Sequence, residues 1–172
     1  YLGLSAGKRA PMDLSVACER SLPMLQALLP EKIPVETHLQ TPGPAIHANT
    51  NQLRQILTNL VTNAWESLGE NGGAIGLTVK TVSHEDIPEK HRFPVNWMPQ
   101  NERYACLEVA DTGCGIKERD MEKIFDPFFT TKFTGRGLGL AVVLGIVGAH
   151  HGAVTVESGL GGRTSKVGEQ KT

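Results

Sequence analysis

The stretch "DTGCGI", residues 111–116, places one carboxylate beside a backbone stripped of side chains. The preceding "ACLEVA" alternates as a strand does, so Asp111 stands at a strand end, and Gly113 and Gly115 leave the next turn bare. An ionised carboxylate accepts hydrogen bonds and donates none. Held in a cleft, it pairs with the exocyclic amine of adenine and rejects the carbonyl oxygen that guanine carries in its place. The two glycines permit positive φ and close approach of the backbone to a ligand. A tight turn after a strand uses the same residues, and the motif alone does not choose between the two readings.

Three further stretches carry chemistry. In "NLVTNAWES", Asn59 and Asn63 are four apart and share one helix face. An amide oxygen there suits Mg²⁺, which prefers hard oxygens and keeps several waters; plain surface or core amides are the other reading. In "FDPFFTTK", Phe128 and Phe129 stand together in a polar loop. Exposed aromatics dock on something, or else they form a satellite cluster under the loop. In "GRGLGLAVV", Gly135, Gly137 and Gly139 run straight into a helical pattern. Bare amides at a helix N-terminus carry partial positive charge and hold phosphate, and Lys132 and Arg136 add full charge. The loop is neither a Walker A loop, which needs G-x-x-x-x-G-K-[ST], nor a Rossmann loop. In order, the four stretches supply a metal ligand, an adenine reader, a loop with aromatic anchors and a phosphate cradle.

The elements that must position these groups follow from periodicity. Residues 14–29 are apolar at helical spacing, interrupted by Pro23. "IPVETHLQ" alternates as a half-buried strand, and "TPGPAIHA" is a turn and a short extended piece. The clearest helix starts at Asn49, with Gln52 placed as a capping-box partner. Leu53, Ile56, Leu57, Leu60, Val61, Ala64 and Leu68 form its stripe, and "GENGG" ends it. "AIGLTVKTV" and "RYACLEVAD" predict strands, with the polar residues 83–102 as a long hairpin connection. "KERDMEKIF" suits a short helix, "LGLAVVLGIVGAHHG" a strong one and "AVTVES" a strand. Such mixing predicts a mixed, largely antiparallel sheet with helices on one face and the other face wet or partnered.

Bulk numbers bound the rest. A length of 172 residues suits one domain. An apolar content of 40% is enough for a core, and 5% aromatic makes that core aliphatic. Lys and Arg total 17 against 18 acids, which argues against a dedicated nucleic-acid surface. No apolar run is long enough to span a membrane, and "YLGLSAGKRAPMD" does not read as a signal peptide. Tyr1 in first place predicts a fragment of a longer protein. Cys18, Cys106 and Cys114 form no metal-type pair and read as free thiols. His150 and His151, adjacent on a helix, diverge by roughly 100°, which is poor geometry for one metal; they read as a helix end or surface.

Taken together, the boxes resemble the catalytic ATP-binding domain of sensor histidine kinases, in the superfamily shared with gyrase, mismatch-repair ATPases and a heat-shock chaperone. "NLVTNA" resembles the N box, "DTGCGI" and "GRGLGL" the two glycine boxes and "FDPFFTTK" the F box. The likeness runs over 13–162, and its tone is nearest the nitrogen-sensor and hybrid-kinase branch. It implies an α+β fold, a two-layer α/β sandwich of Bergerat type with about three helices over one face of the sheet. Residues 13–172 would be the ATP-binding domain, and 1–12 a linker or the tail of an upstream helical dimerisation and phosphoacceptor domain.

The resemblance also implies a site. Asn63 would hold Mg²⁺, Asn59 would support the phosphates and Asp111 would bind the adenine amine. Gly113, Gly115 and Ile116 would shape the adenine pocket, and 117–134 would be the ATP lid, anchored by Phe128 and Phe129. Thr131, Lys132, Gly135, Gly137, Leu138, Gly139, Leu140 and Thr164 would complete nucleotide binding. Asn59, Lys132 and Arg136 would act in phosphoryl transfer by positioning and charge neutralisation. Hydrolytic relatives carry a glutamate at the place of Asn59; an amide cannot serve as a base, which favours transfer to a histidine. The implied partners are the helical acceptor domain and a response-regulator receiver domain, in the cytoplasm, with no nucleic acid and no membrane insertion by this fragment.

Three departures stand out. Glu66 occupies the place of a basic residue that many members carry, which makes Lys132 the candidate phosphate partner. None of the six histidines sits in the family's phosphoacceptor context. "GLGGRTSKVGEQKT" keeps a turn and Thr164 but lacks the apolar alternation of a closing strand. A hydrolytic clamp ATPase, a degenerate partner-binding module and a serine kinase of the same superfamily remain alternatives.

Overall fold

A computed structural model describes residues 8–131, 137–159 and 162–170, the last of these through the backbone alone. Its frame is a six-stranded sheet with three helices on one face.

The helix that carries both asparagines forms for reasons visible in its sequence. Asn49 stays extended (φ −97°, ψ 126°) while its Oδ1 accepts from the N–H groups of Asn51 (2.8 Å) and Gln52 (3.2 Å). Such a cap contributes about 1 kcal/mol. The helix, α2, runs Thr50–Leu68, and the predicted stripe, Leu53, Ile56, Leu57, Leu60, Val61, Ala64 and Leu68, is buried along its whole length. Each large aliphatic buried this way contributes about 1.5–3 kcal/mol. Before it comes α1 (Leu14–Leu28), capped by Asp13, whose Oδ1 accepts from Val16 N–H and whose Oδ2 accepts from Gly43 N–H. Contrary to the break predicted at Pro23, α1 continues through it; burial of Cys18, Ser21 and Leu25 on one side outweighs the lost backbone bond. The third helix, α3, spans Gly139–Ala149 and buries Val142, Val143, Ile146 and Val147.

The sheet is built from β2 (Val35–Leu39), β4 (Ile75–Ser83), β5 (Arg92–Phe93), β6 (Arg103–Asp111), β7 (Ala153–Gly159) and β8 (Gly162–Gln170), in the order β2-β4-β6-β8-β7-β5. Among the described residues only the β2/β4 pair is parallel. A separate antiparallel pair joins β1 (Ala10–Asp13) to β3 (Ala45–Ala48). The alternation within the strands sorts the core. Ile75, Leu77, Val79, Ala105, Leu107, Val109, Val154 and Val156 face the helices. This is the mixed, largely antiparallel two-layer α+β sandwich that the sequence predicts. Among the described residues no helix is long and apolar enough to cross a membrane.

Two local expectations need correction, and a third gains detail. "KERDMEKIF" holds one 3₁₀ turn, Glu118–Asp120, followed by turns rather than a helix. Its buried Met121, Ile124 and Phe125 pin an irregular path instead. The polar closing segment forms β8, and not at an edge: it pairs with β6 on one side and β7 on the other. The connection 83–102 is the long hairpin connection expected, joining the antiparallel neighbours β4 and β6, and it carries structure of its own. It places β5 beside β7 and covers part of the sheet's outer face with Trp97, packed on Tyr104, Ala153, Val82 and Ile87.

Candidate functional site

The polar face of α2 supplies one wall of a cavity. Asn59, Asn63 and Ser67 recur every four residues and so line up along the helix. Ser67 is buried, and its Oγ lies 2.6 Å from both Ala64 O and Asp111 Oδ1. Both neighbours are acceptors, and a hydroxyl has a single proton; the carboxylate, as the charged and stronger acceptor, takes it. Gly113 N–H donates to the same Oδ1 at 2.9 Å. Among the described residues nothing donates to Oδ2, so one oxygen of Asp111 is fixed by the protein and the other keeps its lone pairs for an incoming donor.

The turn after Asp111 is pressed against α2. A Cβ at Gly113 would collide with Ser67 Oγ, and Cys114 N–H donates to Ser67 O at 3.0 Å. Glycine at 113 is therefore a matter of space. At the far side of the cavity, Gly137 needs glycine on two counts. Its φ is +66°, and a Cβ would lie 2.5 Å from the backbone of Phe128. Phe128 N–H donates to Gly137 O at 2.9 Å, which ties the loop to the glycine turn. α3 begins directly after it, with Leu138 offering no side-chain cap. The first N–H groups of α3 therefore lack intrahelical partners and present partial positive charge.

Between these walls lies a cavity of about 790 Å³. Asn59 and Asn63 line it from α2; Gly115 and Ile116 line it from the turn after β6. Phe129, Thr131, Gly137, Leu138, Gly139 and Leu140 line it from the loop and the start of α3. Thus all four predicted stretches meet at one place. The rest of the prediction separates. Asp111 and Gly113 sit behind the lining, with Asp111 only 6% exposed. Phe128, at positive φ, points to solvent while Phe129 turns inward. Thr164 lies in β8, its backbone opposite Ala110 and Glu157. Lys132, Gly135 and Arg136 fall outside the described residues.

Glu66, noted in the sequence as standing at the place of a basic residue, brings negative charge to the wall. Other lining residues were not singled out in the sequence: Lys117 and Arg119 bring positive charge, Asp120 negative charge, and Thr58 and Thr62 add hydroxyls. Ser67, the partner of Asp111, lies one further step of four beyond Asn63, a spacing that gains meaning only once the fold brings Asp111 to it. The donor set suits a purine nucleotide with its metal: a directed carboxylate oxygen, apolar Ile116 and Leu140, open helix amides, and the hard oxygens of Asn59 and Asn63.

Comparison with known proteins agrees with this geometry. The family described as histidine kinase-, DNA gyrase B-, and HSP90-like ATPase matches residues 48–168. The sensory histidine kinase/phosphatase NtrB of Rhizobium meliloti (strain 1021) is 31% identical over 156 residues, 87% of this chain. The alignment takes in only 38% of NtrB. The catalytic domain of histidine kinase ThkA superposes with a TM-score of 0.72 at 27% identity, covering 96% of this chain and 97% of that one. Full-length ShkA in complex with AMPPNP gives 0.69 at 27% identity, over 99% of this chain and 34% of ShkA.

Proposed function

From the premise that the chain belongs to the histidine kinase-, DNA gyrase B-, and HSP90-like ATPase family, as an ATP-binding catalytic domain of the sensor histidine kinase type, we propose that its cavity binds Mg²⁺-ATP and presents the γ-phosphate to a histidine of a separate helical domain. The convergence of Asn59, Asn63, Gly115, Phe129, Gly137 and Gly139, from four separate stretches, on one cavity supports this reading.

Each residue then has a role that follows from its chemistry. Asp111 Oδ2 accepts from the adenine amine, because Oδ1 is already held by Ser67 and Gly113. The base enters beside Ile116 and Leu140. The amides of Gly139 and Leu140, at the open end of α3, receive phosphate oxygens. Asn63 offers one oxygen to Mg²⁺, which takes one or two protein ligands plus substrate phosphates and supplies charge neutralisation when bound. Asn59 supports the phosphates and, as an amide, cannot deprotonate water. Lys117 and Arg119 add cationic charge to the wall, and Lys132 and Arg136 are proposed to join them. The phosphoryl group would pass to the acceptor histidine and on to a response-regulator receiver domain, in the cytoplasm.

Calorimetry with ATP in the presence and absence of Mg²⁺ tests the reading. The expected result is binding that strengthens with Mg²⁺, little phosphate release and loss of affinity in Asp111→Asn. Sustained phosphate release by the chain alone would favour the hydrolytic clamp instead, and no binding at millimolar ATP would favour a module without nucleotide.

A further inference from the structure

The cavity has one wall that its own local structure does not explain. Residues 117–126 hold a single 3₁₀ turn and a few i to i+3 backbone bonds, which confer little rigidity. Yet Lys117, Arg119, Asp120 and Ile124 of this segment line the cavity. Glu118, of the same segment but not of the lining, reaches the 84–102 connection instead.

That connection is anchored firmly at its other end. On the outer face of the sheet, Trp97 packs edge-on against Tyr104 with ring centroids 5.4 Å apart, and Trp97 Nε1–H donates to His151 O at 2.9 Å. Tyr104 Oη accepts from the N–H groups of Gln100 and Asn101, and the Arg92 guanidinium lies 5.2 Å over the Trp97 ring. The chain then rounds the sheet at β5. Phe93, opposite Val154, faces the helix side, where its ring centroid is 4.6 Å from that of Phe125. His91, fixed by Val156 N–H donating to its carbonyl, brings Nε2 within 3.2 Å of Glu118 Oε1, an ion-pair distance without the alignment of a hydrogen bond. Lys90 Nζ reaches the same oxygen at 3.3 Å. With side chains 75% and 70% exposed, the Lys90–Glu118 pair contributes little. Phe93, buried against Phe125, holds more, and the His91 ring, largely covered, packs beside Glu118.

We propose that the 84–102 connection is a brace that positions the cavity wall 117–125, with Phe93 and His91 as the positioning residues. The brace clasps the sheet edge from both faces and passes the order of the Trp97 cluster to a segment with little of its own. Its effect on ligand affinity rests on the ATP-binding reading above; its effect on wall order does not.

The test compares the wild-type chain with Glu118→Gln, which removes an exposed charge and keeps the fold, and with Phe93→Leu, which keeps an apolar core residue and removes the ring pair. Hydrogen exchange followed by mass spectrometry reads the wall, and calorimetry reads Mg²⁺-ATP affinity. Expected are faster exchange of 117–125 by about threefold in Glu118→Gln and about tenfold in Phe93→Leu, unchanged exchange in α2 and β6, and ATP affinity lowered by about threefold to tenfold. A swap adds a specific readout: Glu118→Lys loosens the wall, and Glu118→Lys with His91→Glu restores it. Unchanged exchange of 117–125, an equal rise across α2 and β6, or failure of the swap to restore the wall would overturn the brace. Absence of ATP binding in the wild-type chain, with wall exchange behaving as expected, would instead overturn the nucleotide reading.

Discussion

The two walls of the cavity are built on opposite plans. The α2 wall sits on a helix whose other side is the core, so Asn59, Asn63 and Ser67 are placed by the same turns that bury Leu53, Ile56, Leu57, Leu60 and Val61. The loop wall, 117–131, has no regular element beyond one 3₁₀ turn and depends on contacts from elsewhere: Phe93 on Phe125, Ser158 Oγ accepting from Ile116 N–H, and Gly137 holding Phe128. The lesson is that the first wall is built into the packing of the domain, while the second is held by contacts that a single substitution can remove.

Four substitutions press on that contrast. The largest effect falls on stability. Leu57→Ala, at a fully buried site in α2, should cost about 2–5 kcal/mol, read as a lowered denaturation midpoint, and should abolish ATP binding along with the fold. Asp111→Asn should separate the two properties. Ser67 and Gly113 still have an acceptor, so the midpoint moves little, but the amide cannot discriminate the adenine amine. Affinity should fall by about 10- to 100-fold, the size of a hydrogen bond to a charged group; calorimetry with ATP against GTP checks both the loss and the discrimination. Ser67→Ala removes the donor that orients Asp111. It should cost about 1 kcal/mol of stability and weaken ATP binding less than Asp111→Asn does. Smallest in stability is Phe129→Leu in the loop wall, expected within about 1 kcal/mol of wild type while ATP affinity drops severalfold. If Phe129→Leu lowered the midpoint as much as Leu57→Ala, the two-plan description would be wrong.

What could be read beforehand divides along the same line. α2 was legible from its cap to its terminating glycine because periodicity, capping and composition agree. The four boxes were legible as chemistry only jointly, since a turn, a core amide or a satellite cluster accounts for each one alone. Ser67 went unread because one serine beyond two asparagines carries no weight until Asp111, 44 residues later, is brought to it. The brace went unread because Phe93, Trp97 and Tyr104 are spread among prolines and polar residues with no period, and their meaning lies in two faces of a sheet that the chain had yet to form. β8 went unread because "RTSKVGEQ" lacks alternation; its place between β6 and β7 is set by ladders of backbone bonds on both sides, which a hydropathy pattern does not record.

Trp97, clamped against Tyr104 beneath the sheet, shares the chain with one other tryptophan, Trp65, which packs beside the core from α2. The protein is thus furnished with one tryptophan per layer. A Trp65→Phe chain would glow only from the clasp, a Trp97→Phe chain only from the helix that bears the asparagines, and the pair would let the two layers be watched melting separately.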